Sequence, residues 1–492
     1  MKNSIANIIL VLIVFFGGSG CGNKNIRTSI HFSLQDSALT KPVEIICVDD
    51  VYHLYYTYSI DGKSKKWGQV ESKDLQHWNN VPMRIESATE NNIKSILVDW
   101  SYLTKYSNEK PGLIAFCSND DKSGELSLLF SHDNGLTWNE DSDVSILLDG
   151  LSDPIMDLKV FWNDNTQKWN MLVLSGYQVQ FYSSDDLKEW EYVSRFGDDV
   201  YLKSGEWTSV DFFPMEVEKT GVIKWILTIS ADKGSPNEGS GVQYFVGDYD
   251  GFSYVSSHNK PKWIDHGSDI YQTVVLSDYY TVNKQPVLIG SIYNSIYQKF
   301  NLPDDAQTEF SLVRKLSLIE KFNDLYLIQQ PTNLAESNSA SNTFISGIEL
   351  ADQKQIEEKA QLPIKIDLKF NVDNRLYLGM AEVFGVKISN DNGQELIVGY
   401  QAERRYFFIS DPSIQKNYPD TWDGFNYAPY VTNEPQVDMT LIIDQKSVEL
   451  FAMEGLVGVS RKFVFEGDVV DFQFFGKNGS ISLQEGKITE LK

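Results

Sequence analysis

One short sequence recurs along this chain and constrains its architecture. It reads Ser72-Lys73-Asp74-Leu75-Gln76-His77-Trp78, then Ser131-His132-Asp133-Asn134-Gly135-Leu136-Thr137-Trp138, then Ser184-Asp185-Asp186-Leu187-Lys188-Glu189-Trp190, with a looser copy at Gly247-Asp248-Tyr249-Asp250-Gly251-Phe252-Ser253-Tyr254. The closing aromatics lie about 50–65 residues apart, and each copy follows two strand-like runs, such as 169–174 and 179–182. Ser and Asp turn the chain because their side chains bond the backbone a few residues on. The aromatic then folds back between neighbouring sheets. Trp78, Trp138 and Trp190 are therefore predicted core, and the repeat is predicted to be the blade unit of a β-propeller.

No window after the N-terminal segment shows a sustained 3.6-residue apolar period with caps, so the chain reads as all-β. A fifth blade is predicted over 286–330. Near 333–342 the composition turns small and polar, as a linker does. Alternating runs at 384–389, 395–400, 440–444 and 447–451 then predict a β-sandwich. The expected organisation is a signal peptide at 1–20, a lipidated tether at 21–30, a five-bladed β-propeller at 31–330, a linker at 331–343 and a C-terminal β-sandwich at 344–492.

The 492 residues carry 43 Lys plus Arg against 68 Asp plus Glu, a formal charge of -25 that repels polyanions and argues against a nucleic-acid partner. The N-terminus has a basic Lys2, an apolar run over 5–16 and Gly17-Gly18-Ser19-Gly20 before Cys21. That is a secretion signal, too short to span a bilayer. Small residues ending in a cysteine resemble a bacterial lipobox, with Gly18 where leucine is usual. The resemblance implies an acylated Cys21, an anchor strong enough for an outer-membrane lipoprotein exposed at the cell surface. Cys47 and Cys117 fall in apolar runs and are predicted to be buried thiols. The six histidines show no metal-binding spacing, and neither metal nor cofactor is predicted.

Between His31-Phe32 and Tyr52-His53-Leu54-Tyr55 the chain reads Ala38-Leu39-Thr40-Lys41-Pro42-Val43-Glu44. This frame resembles the first motif of glycoside hydrolase family 32, the invertases, inulinases and levanases, where the same stretch reads Trp-Met-Asn-Asp-Pro-Asn-Gly. Residues 444–451 are similar to the family's C-terminal sandwich, so the likeness covers nearly the whole mature chain. It implies a propeller with a ligand funnel on its axis, and it aligns Lys41 with the family's nucleophilic aspartate. The second motif, Phe-Arg-Asp-Pro-Lys-Val-Phe-Trp, aligns with Ile155-Met156-Asp157-Leu158-Lys159-Val160-Phe161-Trp162, keeping the acid but losing the arginine. Ser152-Asp153-Pro154 offers a competing alignment. The third, Trp-Glu-Cys-Pro-Asp, aligns with Trp207-Thr208-Ser209-Val210-Asp211, placing Thr208 at the general acid.

Retaining glycosidases need one carboxylate to attack the anomeric carbon and another to protonate the leaving oxygen. An amine cannot form the glycosyl ester. If protonated it opposes the oxocarbenium charge by about 4 kcal/mol at 4 Å and an effective dielectric of 20, three decades of rate. A threonine hydroxyl cannot supply a proton near neutral pH. Two further sugar contacts implied by the family are replaced, by Thr57 and Ser291. Trp67, Trp207, Asp157, Asp211 and Tyr271 remain as expected carbohydrate contacts, with Trp100 and Trp263 behind them.

The resulting expectation is a non-catalytic cell-surface lipoprotein that captures β-fructan, levan or inulin type, for a partner hydrolase and an outer-membrane importer. The alternative is an active hydrolase of β-fructosides whose acids have moved to Asp36, Glu44, Asp153, Asp157 or Asp211. A third reading is a scaffold whose propeller face docks another lipoprotein. Lys41 itself is expected to pair with Asp157 or Asp211.

Overall fold

The computed structural model describes residues 30–34, 38–60, 65–86, 92–118, 124–200, 205–276, 285–294, 308–332, 334, 343–352, 356–372, 379–412, 424–431 and 434–491. The signal peptide, Cys21, nearly all of the tether, Asp36 and most of the linker lie outside these residues. The described chain is built from strands, with no α-helix. Five sheets, antiparallel but for the parallel strand Arg84–Glu86 on the second, form the N-terminal part, and their first strands are Ala38–Val48, Asn92–Val98, Ile155–Asn163, Trp207–Glu216 and Ile270–Leu276. Each of these strands touches the next, and the last touches the first, which closes a five-bladed propeller around an axis.

The recurring turn explains why the blades repeat. Ser72 Oγ accepts the backbone N–H groups of Asp74 and Leu75, and Asp74 Oδ1 accepts those of Gln76 and His77. Ser184 and Asp186 repeat the pattern, and Ser131 with Asp133 build a close variant. Each turn needs a left-handed residue, supplied by Leu75 and Leu187 at φ 64° and 66° and by Asn134-Gly135 in the second copy. Burying both leucines offsets that strain. Trp138 is fully buried between the first two blades, while Trp78 and Trp190 are half-buried against clusters shared by the first and fifth blades and by the second and third. Cys47 and Cys117 are buried and form no disulfide.

All five first strands break register in their early portion. The shifts fall between Leu39 and Lys41, Pro42 and Glu44, Ile93 and Ser95, Ile155 and Asp157, Trp207 and Ser209, and Tyr271 and Val274. A bulge re-aims a side chain that strict alternation would send into the blade. The skipped residues include Lys94, Met156 and Thr208, so the bulges cluster at one mouth of the axis.

Two six-stranded sheets packed over a single apolar cluster make the C-terminal sandwich, from Thr343–Ala351 to Ser480–Glu490. It is joined to the propeller by a buried polar network. His31 places Nδ1 2.9 Å from Asp444 Oδ2 and Nε2 2.9 Å from Glu449 Oε1. Arg314 reaches Glu449 at 2.6 Å and Asp265 at 3.0 Å. Burial opposes the His31 charge, but the bonds to Asp444 and Glu449 override it and hold the imidazole well above its ordinary value. Buried Glu309, pushed up by its own burial, faces the same histidine. Glu449 is depressed to about 2, burial being outweighed by Arg314 and His31.

His31 contributes stability that is complete below the unfolded value near 6.5 and is lost as pH rises through the raised native value; Glu449 contributes stability lost as pH falls from about 4.5 towards 2. We expect His31→Gln to cost about 2–3 kcal/mol at pH 6, from charge-assisted hydrogen bonds, and clearly less at pH 9.5. Urea unfolding at the two pH values checks this, and an equal cost at both would show that His31 is not charged in the native protein.

Candidate functional site

The bulged mouth holds a first layer of side chains. Lys41 Nζ lies 3.1 Å from Asp157 Oδ1, with both side chains largely buried, and Asp157 Oδ2 accepts the Val210 N–H at 3.2 Å. Lys94, 7% exposed, donates to the Met156 carbonyl at 3.0 Å. Thr208 Oγ1 donates to the Ser230 carbonyl at 3.4 Å, and burial pushes the nearby Tyr271 hydroxyl up. Thr57 pairs with Lys41 across the strand and bonds Thr40 through their hydroxyls. No carboxylic acid stands at position 41 or 208 to attack or protonate a glycoside.

One step deeper is a second layer. Lys159 Nζ bridges Glu44 Oε1 at 2.8 Å and Asp211 Oδ1 at 3.3 Å. Asp211 Oδ2 accepts the Val275 N–H at 2.7 Å, tying three blades together through one carboxylate. Burial pushes Glu44 up to about 7, with Lys159 pulling it down and Asp211 adding to the rise. Lys159 loses by burial and gains more from Asp211 and Glu44, so it is held above the usual lysine range. Such a bridge is an electrostatic plug: each charge is tolerated because its partner is there.

The profile described as Glycosyl hydrolases family 32 N-terminal domain matches residues 31–331, and that described as Glycosyl hydrolases family 32 C terminal matches 330–490. The chain belongs to glycosyl hydrolase family 32. Among the family's characterised proteins, it is 26% identical over 488 residues to a levanase of Bacillus subtilis, spanning 96% of this chain and 71% of that one. It is 24% identical over 505 residues to an extracellular exo-inulinase of Aspergillus niger, covering 92% of each. Among solved structures, the exo-inulinase of Aspergillus awamori superposes with a TM-score of 0.80 at 22% identity, covering 95% of this chain and 98% of the other. These establish the family 32 propeller and sandwich.

Within that family frame, the competition between the two Asp alignments is decided by position. Asp157 enters the axial layer, whereas Asp153 is exposed in the preceding turn, where its carboxylate accepts from Ser152 and its carbonyl from Ser175. Several expected sugar contacts are not presented to solvent. Trp207 is 1% exposed and packs edge-on against Tyr177, and Asp157, Asp211 and Tyr271 are 6%, 2% and 7% exposed. Trp67 is half-buried against the core between the first two blades. Trp263 lies on the fourth blade, paired with Gln243. Trp100 follows the end of its strand, at the opposite mouth from Lys41.

Sequence reasoning missed Lys94 and the bridging role of Lys159. A lysine inside Ile93-Lys94-Ser95-Ile96-Leu97-Val98 was the available signal, since a cation in an apolar strand needs an acceptor. Among the described residues, no group of three His, Cys, Asp or Glu side chains could hold a metal ion.

Proposed function

We propose that the protein binds β-fructan and does not cleave it. The carrying observation is the Lys41–Asp157 ion pair: an ammonium occupies the position of the family's nucleophile and engages the remaining acid. Thr208 at the acid position, donating its hydroxyl proton to the Ser230 carbonyl, supports the same reading. The relatives' names supply the glycan class, since they are levanases and an inulinase. In this reading an acylated Cys21 holds the protein at the outer-membrane surface, where it retains polysaccharide for a hydrolase and an importer.

The rival is a hydrolase with relocated acids. Its described candidates are engaged: Glu44 and Asp211 by Lys159, Asp157 by Lys41, while Asp153 stands in an exposed turn. Binding and turnover measured together on the soluble form lacking Cys21 separate the two. Retarded migration in native gels containing levan or inulin, with no fructose or short oligomers released, is the expected result. Unchanged mobility in both glycans would sink the binding claim, and sustained fructose release would sink the claim of inactivity.

A further inference from the structure

We propose that the far mouth of the propeller axis, not the substituted one, is where this protein holds saccharide, by receiving the ring of a neutral sugar. The placement rests on the reading of the protein as a glycan binder; the ring-binding chemistry does not depend on which sugar it is.

A cavity of about 510 Å³ opens there, within the range of small-molecule sites. It is lined by the later halves of all five first strands, beginning at Glu44 and Lys159 and running outward to Trp162 and Glu216. The Lys159 bridge is therefore its floor, and the Lys41 layer lies on the other side of that floor.

Three half-buried indoles, Trp100, Trp162 and Trp225, border the space. Two are held rigidly. Trp162 donates its N–H to Asp164 at 3.0 Å and meets Trp169 edge to face, with ring centroids 5.1 Å apart; Trp225 stacks on Phe212 at 4.7 Å. A fixed indole accepts the C–H face of a pyranose or furanose with little ordering cost, since only two side-chain torsions are involved and both are already set. Hydroxyls at the ring edge find Asn165, Asp164 and Glu216 at the rim, all exposed.

The charge pattern selects against acidic ligands. The floor cation is already bound by Glu44 and Asp211, and the rim carries carboxylates. A phosphorylated or uronic sugar would meet repulsion at the rim and no available cation at the floor. A neutral sugar meets neither.

The test is calorimetric titration of the full chain with inulin-type and levan-type trisaccharides and with cellotriose. Trp162→Ala should weaken binding about tenfold through lost stacking. Ile223→Arg, at a rim position 52% exposed, should weaken it at least as much by closing the mouth, with an unchanged Tm as the check on folding. Fructan binding unchanged in both variants would overturn the cavity assignment and leave the fructan reading standing. Cellotriose binding that Ile223→Arg abolishes, without fructan binding, would uphold the cavity and overturn the fructan reading. No saccharide bound by the unaltered chain would overturn both.

Discussion

Lys159→Met is expected to lower the free energy of unfolding by about 3–5 kcal/mol at pH 8, the cost of leaving buried charge uncompensated. The ammonium is the shared partner of Glu44 and Asp211, whose side chains are 4% and 3% exposed. Methionine keeps most of the volume, so the loss reports charge and not a cavity. Asp211 keeps its backbone donors from Phe212 and Val275. Glu44 is then the group that must take a proton, and burial has already moved it to about 7 with the lysine present.

Removing the cation pushes Glu44 higher still. Between the unfolded value near 4.5 and the native one, the native state binds the extra proton, so the variant regains stability as pH falls. The difference from the unaltered protein should shrink by about 1 kcal/mol between pH 8 and pH 7 in urea unfolding and level off below pH 7, where Glu44 is protonated in both. A pH-independent difference would mean that Glu44 is not the orphaned charge. The plug would then be held by Asp211 alone.

Arg314→Met should be of similar size, about 3–5 kcal/mol, but should act at the joint between propeller and sandwich. The guanidinium is fully buried and donates to Glu449, Asp265, Gln329 and Ser460, so its loss takes the arginine charge from both carboxylates and leaves Glu449 to His31. Arg314→Lys should recover little, because a point charge cannot reproduce a planar fork that reaches both acids at once. The Glu449 part of the cost should ease as pH falls from about 4.5 towards 2, where the unaltered protein also loses what its depressed Glu449 contributes. Scanning calorimetry provides the readout: a fall in Tm without loss of cooperativity is expected if the two parts still unfold together, and an unshifted Tm would refute the network's role.

Much of this architecture was legible in the chain because its signals are local. A Ser-x-Asp turn bonds atoms within about four residues, and strand alternation repeats every two, so blade units and sandwich strands could be read without knowing their neighbours. The substituted motif positions were legible for the same reason. Lys41, Met156 and Thr208 stand in well-kept flanks. What the flanks could not show was exposure: Trp207 and Asp211 read as sugar contacts, yet they are buried by side chains from other blades. Trp100 read as a ligand contact of no stated place, and the fold sets it at the mouth opposite Lys41.

By itself the sequence determined an all-β chain of five blades and a sandwich, the family, and the presence of Lys41 and Thr208 within its motif frame. Only the tertiary structure decided that Lys41 takes Asp157, 116 residues away, and that Lys159 takes Glu44, 115 residues away. It also decided that these pairs divide the axis into two mouths. The physical reason is one of range. Turn chemistry and periodicity are encoded between neighbours, whereas an ion pair across a ring depends on closure of all five blades and on bulges that aim each side chain inward.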